Sequence, residues 1–442
     1  MKININKEYL FVALIFVAFI DYDIFVFIAL IYFLIYSFYN SEFEFSNLIK
    51  RTIYLQVSFF TIFIKFAPIL NSKFIKIYNN ISQQNYLSLD GKFYSENIFY
   101  DLQTFLYGLY CNRTNIMHDD YLTKYEELIL SCPFGPGYGL LYYKISIEGN
   151  IWNLTLIISL ISLTLLFLIY YFSVRNINNY KFMMLTLFFL SPPVNFLTFR
   201  INFDLVIFII LHYFVKNGNA NKFLRNTIFL VLASIKLYPI VFLFSFTAYD
   251  ILKQKNLRQP LNFVFCIFGL YIIYLNNLTK GTDVYSSSNQ SHRSYGLRND
   301  ADYLSELFNL KITFFFLALI FMVLICCFNF YKRLKIYKSK NFELHSVFFL
   351  ISTGLFSNYD YKLIFLFYLV IFFLDYEQQF FSVLLFLFIY SSPSLLHAYQ
   401  KYYKLVVNDE IFYLDFSFYI VYSLCIVLLF RYTLEIFRKI KL

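Results

Sequence analysis

The chain has 442 residues, of which 60% are hydrophobic and only 14% charged, against about 25% charged in an ordinary soluble domain. Its mean hydropathy of +0.59 leaves too little polar surface to face water, which excludes a soluble enzyme, a secreted disulfide scaffold and a nucleic-acid binder, and predicts a polytopic membrane protein. The net charge of +10 lies mostly between apolar runs, where it sets membrane topology.

A helix that crosses a bilayer needs about 20 apolar residues. The runs 10–20 and 24–39 come first, separated by Asp21-Tyr22-Asp23. The run 53–70 follows, and then the longest hydrophilic stretch, 71–147, with Asp90, Glu96, Asp101, His118, Asp119, Asp120, Glu126 and Glu127. A full-length run occupies 151–173. Shorter or interrupted runs fill 182–198, 204–215, 226–235, 238–249 and 261–276. A second polar stretch, 277–309, contains Lys280, Asp283, His292, Arg293, Arg298, Asp300 and Asp302. Full-length runs at 311–331 and 413–431 enclose short ones at 344–357, 362–375 and 380–396.

The expected fold is an all-α helix bundle with about 11–14 membrane segments. Several are too short to cross alone and are expected to be tilted, broken or re-entrant. Broken backbone persists in a bilayer only beneath protein or beside a watery cavity, so an internal cavity is expected. Three regions result: N-terminal membrane segments 1–70, a large loop 71–147, and a transmembrane core 148–442 that carries the second loop 277–309. No cleavable signal peptide is evident in 10–20, and no internal repeat is visible.

With the N-terminus inside, Lys50, Arg51, Arg175, Lys181, Lys216, Lys222, Arg225, Lys253, Lys332, Arg333 and Arg438 all fall on inner segments. Both termini are therefore expected in the cytoplasm, with 71–147 and 277–309 on the outer face. A bacterial inner membrane is the expected location.

Two shorter polar patches fall on that same face: RINFD (200–204), just after SPP (191–193), and NYDYK (358–362). Charges between short helices are costly and usually face a protein interior or a wet cavity. Arg200 and Asp204 are spaced i,i+4, so one continuous helix would put them on one face. Lys236 interrupts the apolar SIKLYP, with Tyr238 and Pro239 following; Asp360 and Lys362 sit between apolar runs. For each charge alone, a loop position or a helix–helix ion pair is the simpler account. Four clusters on one face favour a site. His292 reads either as a ligand for phosphate or a sugar hydroxyl, beside Arg293 and Arg298, or as a solvated loop histidine. His212, His345 and His397, in or beside apolar runs, read as structural.

A carboxylate, a cationic phosphate site and an amphiphilic cavity suit glycosyl transfer from a lipid phosphate. The carboxylate takes the acceptor hydroxyl's proton, Arg, Lys or His neutralises the departing phosphate, and the transition state resembles an oxocarbenium ion.

Taken in order, five segments resemble the bacterial polyprenol-phosphate-mannose-dependent mannosyltransferase-like family of the C-type membrane glycosyltransferase superfamily. They are YDLQTFLYGLYC (100–111), SCPFGPGYGLLYY (131–143), SPPVNFLTFRINFDLVIFIILHYF (191–214), ASIKLYPIVFL (233–243) and NYDYKLIFL (358–366). The resemblance spans roughly residues 95–375. It implies a C-type fold and a presumed catalytic carboxylate that maps onto Asp101, with Asp119 and Asp120 as alternatives. It further implies Arg200, Asn202, Asp204, Lys236, Tyr238, Asp360 and Lys362 as substrate-binding candidates, which His292, Arg293 and Arg298 join from the second outer loop on the same face. Cys111 and Cys132 align with the two loop cysteines of the family, and a disulfide between them would contribute about 3 kcal/mol. Phe199 and Ile201 stand where the family usually carries Glu and Gly, and Lys362 replaces the usual Arg, keeping its charge without the bidentate fork.

The resemblance implies a polyprenyl-phosphate sugar (mannose or another hexose) as donor, a lipid-linked or glycan acceptor, stereochemical inversion, and no metal or other cofactor. Membrane lipids are the remaining expected partners; nucleic acid is not one. Asp21-Tyr22-Asp23 matches the D-x-D that binds metal in other C-type enzymes, yet its short gap between apolar runs reads more simply as a hairpin turn. The competing functions are a lipid-linked oligosaccharide flippase or transporter, a polysaccharide polymerase or ligase, and a member of the family that has lost activity. The acidic outer loop favours an enzyme over a flippase.

Overall fold

The computed structural model describes residues 7–39, 45–70, 150–218, 220–254, 260–280, 311–334, 341–354, 358–375, 379–390 and 416–441, with short pieces at 99, 101–102, 105–106, 109, 141, 146–148, 294–295, 297, 301 and 304–305. The described residues are almost wholly helical. Among them, three helices are long and apolar enough to cross a membrane: Ile151–Val174, Ile312–Tyr331 and Phe418–Arg438. They coincide with the three full-length apolar runs. A fourth span is available if the bent pair Asn179–Phe189 and Pro192–Arg200 counts as one. The chain is therefore an α-helical protein built to associate with a membrane.

The backbone divides into two compact units. The first comprises Met1–Tyr100, Leu156–Ile209 and Asp360–Ser417; the second comprises Asp101–Thr155, Ile210–Tyr359 and Phe418–Leu442.

In the first unit, α1 (Lys7–Ile20) and α2 (Tyr22–Tyr39) form an antiparallel hairpin. Its turn is the single residue Asp21, whose carboxylate accepts the Ile24 N–H at 3.1 Å. An aspartate at this position satisfies a donor that the new helix cannot pair, so the D-x-D is at least in part a helix cap. Next come α3 (Asn47–Ser58), a π-helical turn (Phe59–Phe63) and α4 (Ile64–Leu70). Ser46 caps α3 by accepting from the Ile49 N–H at 3.3 Å.

The helices α5 (Ile151–Val174), α6 (Asn179–Phe189) and α7 (Pro192–Arg200) follow. A 46° bend separates α6 from α7. Its cause is Pro192-Pro193: neither residue can donate, and both fit the first helical positions. The bend frees carbonyls that no water can reach. Tyr390 donates to the Leu187 carbonyl and Tyr22 to the Leu190 carbonyl, each at 2.6 Å. Both tyrosines are buried, so a broken helix is made tolerable from within the protein.

In the second unit, α8 (Phe203–Lys216, which starts in the first unit), α9 (Lys222–Ile235), α10 (Ile240–Gln254) and α11 (Pro260–Lys280) run in sequence. α9, α10 and α11 pack on one another, and α13 (Leu344–Gly354) packs on α10. α12 (Ile312–Leu334) buries little of itself, exposing Phe314, Leu317, Phe321 and Phe328. The 3₁₀ helix (Asp360–Leu366), α14 (Phe367–Asp375) and α15 (Gln379–Tyr390) belong to the first unit, and α16 (Phe416–Lys441) lies almost wholly in the second. A polar ring ties α9, α10 and α11 together. Arg225 donates to Asp250 at 2.9 Å and to Asn226 at 3.1 Å, Asn226 donates to Asn262 at 2.7 Å, and Asn262 donates to Asp250 at 2.9 Å. All four side chains are buried. A ring in which each member is satisfied stabilises the bundle; one with a gap would not.

Candidate functional site

In the second unit, two backbone links join segments that lie far apart in the chain. The N–H of Leu141 donates to the Ser234 carbonyl at 2.9 Å. This ties the end of the first polar loop to the SIKLYP segment. The strand β1 (Ser294–Tyr295) pairs antiparallel with β2 (Asn358–Tyr359), in the register Ser294 to Tyr359 and Tyr295 to Asn358. This ties the second polar loop to NYDYK. Four of the segments singled out by sequence are thus connected in two pairs.

Asp101 is helical and half-buried, beside the buried Leu102. Two residues earlier, Phe99 takes a left-handed φ of 60° and is buried. Lys236 caps α9 in an extended conformation, with its N–H still bonded to the Leu232 carbonyl at 2.8 Å. The break between α9 and α10 therefore falls at Lys236–Pro239, where the proline forbids continuation. The Lys236 ammonium lies 5.8 Å from the Tyr238 ring centroid, and the lysine is only 9% exposed. Tyr238 in turn meets Phe349 and Phe242 edge-on. A half-shielded carboxylate can accept a proton, and an ammonium held at an aromatic face can receive an anion.

In the first unit, the RINFD segment is a corner. α7 ends at Arg200, Ile201 adopts φ 45° and ψ 59°, and α8 begins at Phe203. Asn202 caps α8: its side-chain oxygen accepts the Asp204 N–H at 3.1 Å and its carbonyl accepts the Leu205 N–H at 2.8 Å. Arg200 and Asp204 therefore do not share a helix face, as i,i+4 spacing on one helix would require. They occupy a last turn and a first turn, which are the ends that the helix dipole favours for each charge. Arg200 lies 5.4 Å from the Phe196 ring and is half-buried, whereas Asp204 is fully buried. Ile201 stands where glycine is expected from the resemblance, and its backbone is the one glycine adopts freely. α7 packs along the 3₁₀ helix that carries Asp360 and Lys362. Lys362 is half-buried, and Leu363, Ile364 and Phe365 beyond it are buried.

One residue of this region was not singled out by the sequence. Lys65 on α4, directly after the π-helical turn, is completely buried. It donates to the Asn195 side-chain oxygen at 2.7 Å and lies 3.1 Å and 4.6 Å from the ring centroids of Phe199 and Phe60. The signal for it was a lone lysine within the apolar run 53–70, the same kind of signal that marked Lys236. Arg225, taken from sequence as a topology charge, is likewise half of a buried ion pair.

His345 is buried against Ser245, with Nδ1 and Oγ 2.7 Å apart. His292, Arg293, Arg298, Cys111, Cys132, Asp119 and Asp120 lie outside the described residues. No protein-family model, no curated protein and no solved structure matches the chain.

Proposed function

We propose that the chain is an integral membrane glycosyltransferase of C-type architecture. It moves a hexose, such as mannose, from a polyprenyl-phosphate donor to a lipid-linked or glycan acceptor on the extracytoplasmic face of a bacterial inner membrane, with both termini in the cytoplasm. The observation that carries this reading is the pairing of Ser294–Tyr295 with Asn358–Tyr359, alongside the Leu141–Ser234 bond. They join Leu141 to the SIKLYP segment and Ser294–Tyr295 to NYDYK, which supports a site built where short helices are interrupted by polar segments.

In this reading Asp101 takes the proton of the acceptor hydroxyl as the new bond to the anomeric carbon forms and the phosphate leaves. In the second unit, cationic groups from Lys236, His292, Arg293 and Arg298 offset the charge that builds on the phosphate. Tyr238 orients sugar or phosphate oxygens there, and Arg200, Asn202, Asp204, Asp360 and Lys362 are the substrate-binding candidates of the first unit. The prenyl chain lies along exposed apolar helix surface. The resemblance implies an inverting course without a metal.

The deciding experiment incubates the purified protein with radiolabelled polyprenyl-phosphate sugars and candidate lipid acceptors. Label appearing in the acceptor is the expected result. Donor carried across vesicle bilayers with no transfer would select a flippase instead, and a ladder of growing chains would select a polymerase.

A further inference from the structure

We infer that Lys222 and Lys253, at the end of the helices α8–α10, form a docking site for the phosphate of an anionic phospholipid headgroup. α9 begins at Lys222, and Asn221 caps it by accepting from Phe223 N–H and Leu224 N–H at 2.9 and 3.3 Å. Lys222 and Arg225 therefore both stand in the first turns of a helix, the end where the dipole favours acids. The sequence concentrates positive charge where local preference disfavours it.

The Asp250 carboxylate answers this charge. Asp250 lies 2.9 Å from Arg225 and 3.7 Å from Lys222. Arg225 and Asp250 are each 5% exposed, whereas Lys222 is 24% exposed. The carboxylate is thus engaged beneath the surface by arginine, and Lys222 reaches solvent above it. One turn along α10, Lys253 is exposed and lies 5.5 Å from the Tyr249 ring. A Cβ added at Gly218 would sit 3.1 Å from the Lys253 Nζ, so the ammonium hangs over the turn that leads into α9. Lys216, exposed in the last turn of α8, adds a third cation beside the same turn.

The surroundings select a lipid. Tyr213 on α8 and Phe223 and Leu224 on α9 are all exposed next to this basic end. Ammonium groups above and bare apolar side chains beside them match the two parts of a phospholipid at the membrane interface. Each interfacial lysine strengthens binding to an anionic headgroup. The inference depends on the helices lying in a membrane and is independent of glycosyl transfer.

The test uses the purified full-length protein and native mass spectrometry, titrating phosphatidylglycerol and phosphatidylcholine separately. Phosphatidylglycerol should bind about tenfold tighter, and Lys222→Gln/Lys253→Gln should bring the two within about twofold, while Lys222→Arg/Lys253→Arg keeps the difference. An undiminished preference in the double Gln protein overturns the site. Inorganic phosphate in roughly hundredfold excess separates the two sources of the same chemistry: failure to displace the lipid supports a headgroup site, and full displacement overturns it in favour of free phosphate. If the double Gln protein does not survive purification, Lys253→Gln alone carries the same comparison, because Lys253 takes no part in the Arg225–Asp250 ring.

Discussion

The ammonium of Lys65 donates to Oδ1 of Asn195 at 2.7 Å while sharing its position with the Phe199 ring, 3.1 Å away. An aromatic face thus fills the place where the resemblance leads one to expect a glutamate. Taking an ammonium out of water is expensive unless its donors are used. Asn195→Ala removes this acceptor and should destabilise by about 2–3 kcal/mol. Lys65→Met keeps the volume and removes the charge, so the double variant Lys65→Met/Asn195→Leu should recover most of that loss. Unfolding curves in detergent check the order. A double variant less stable than Asn195→Ala would show that the buried charge is itself stabilising.

Ile201 poses a competition between backbone and burial. Its φ of 45° is costly for a β-branched residue, by about 1–2 kcal/mol, yet its side chain is fully buried. Glycine would relieve the backbone and lose the packing. Alanine would lose the packing and keep much of the strain. Stability should therefore fall in the order Ile, Gly, Ala, with Gly above Ala by about 1 kcal/mol. Thermal unfolding of Ile201→Gly and Ile201→Ala reads this, and the reverse order would place Ile201 outside the left-handed region.

Gly354, at the end of α13, permits a close approach. A Cβ there would lie 2.6 Å from the Tyr422 ring. Tyr422 is buried and donates to the Ile351 carbonyl at 3.2 Å, so the ring has little room to withdraw. Gly354→Ala should cost about 1–3 kcal/mol by overpacking, outweighing the helix propensity that alanine gains. Gly354→Ala together with Tyr422→Leu should recover part of the loss. Denaturant midpoints for the single and double variants measure it.

The Arg225–Asp250 pair predicts asymmetry. Asp250→Asn leaves the Arg225 charge buried without its counter-ion and should destabilise by about 3–5 kcal/mol. Replacing both with apolar residues, Arg225→Met/Asp250→Leu, should cost less than that single change, although Asn226 and Asn262 then lose partners. The comparison of melting temperatures decides it.

For the proposed activity, Asp101→Asn should lower transfer by about 10²–10⁴-fold while the protein still inserts into membranes and unfolds at the wild-type temperature. Activity of the radiolabelled-donor assay and the melting curve are read on the same sample. Wild-type transfer in that variant would remove Asp101 as the base and return the assignment to Asp119 or Asp120.

Much of the architecture was legible along the chain. The apolar runs 151–173, 311–331 and 413–431 became the three long helices because run length alone decides whether a helix can cross a bilayer. The runs 226–235 and 238–249 became separate helices, whereas the single run 182–198 is broken at Pro192-Pro193, because proline acts on its own turn. Asp21 and Asn202 became caps for the same local reason. The i,i+4 reading of Arg200 and Asp204 failed because Ile201 turns the chain left-handed between them, which the residue's own preferences oppose. Periodicity cannot foresee a strained residue that its surroundings hold in place.

What the sequence determined by itself is therefore short-range: helical character, membrane affinity, and where the polar segments interrupt. The tertiary structure decided which of those segments meet: Leu141 with Ser234, Ser294 with Tyr359, Lys65 with Asn195 and Arg225 with Asp250. The last two exist because a buried polar group must find another from a distant part of the chain. That demand is satisfied by geometry, which no local pattern of residues records.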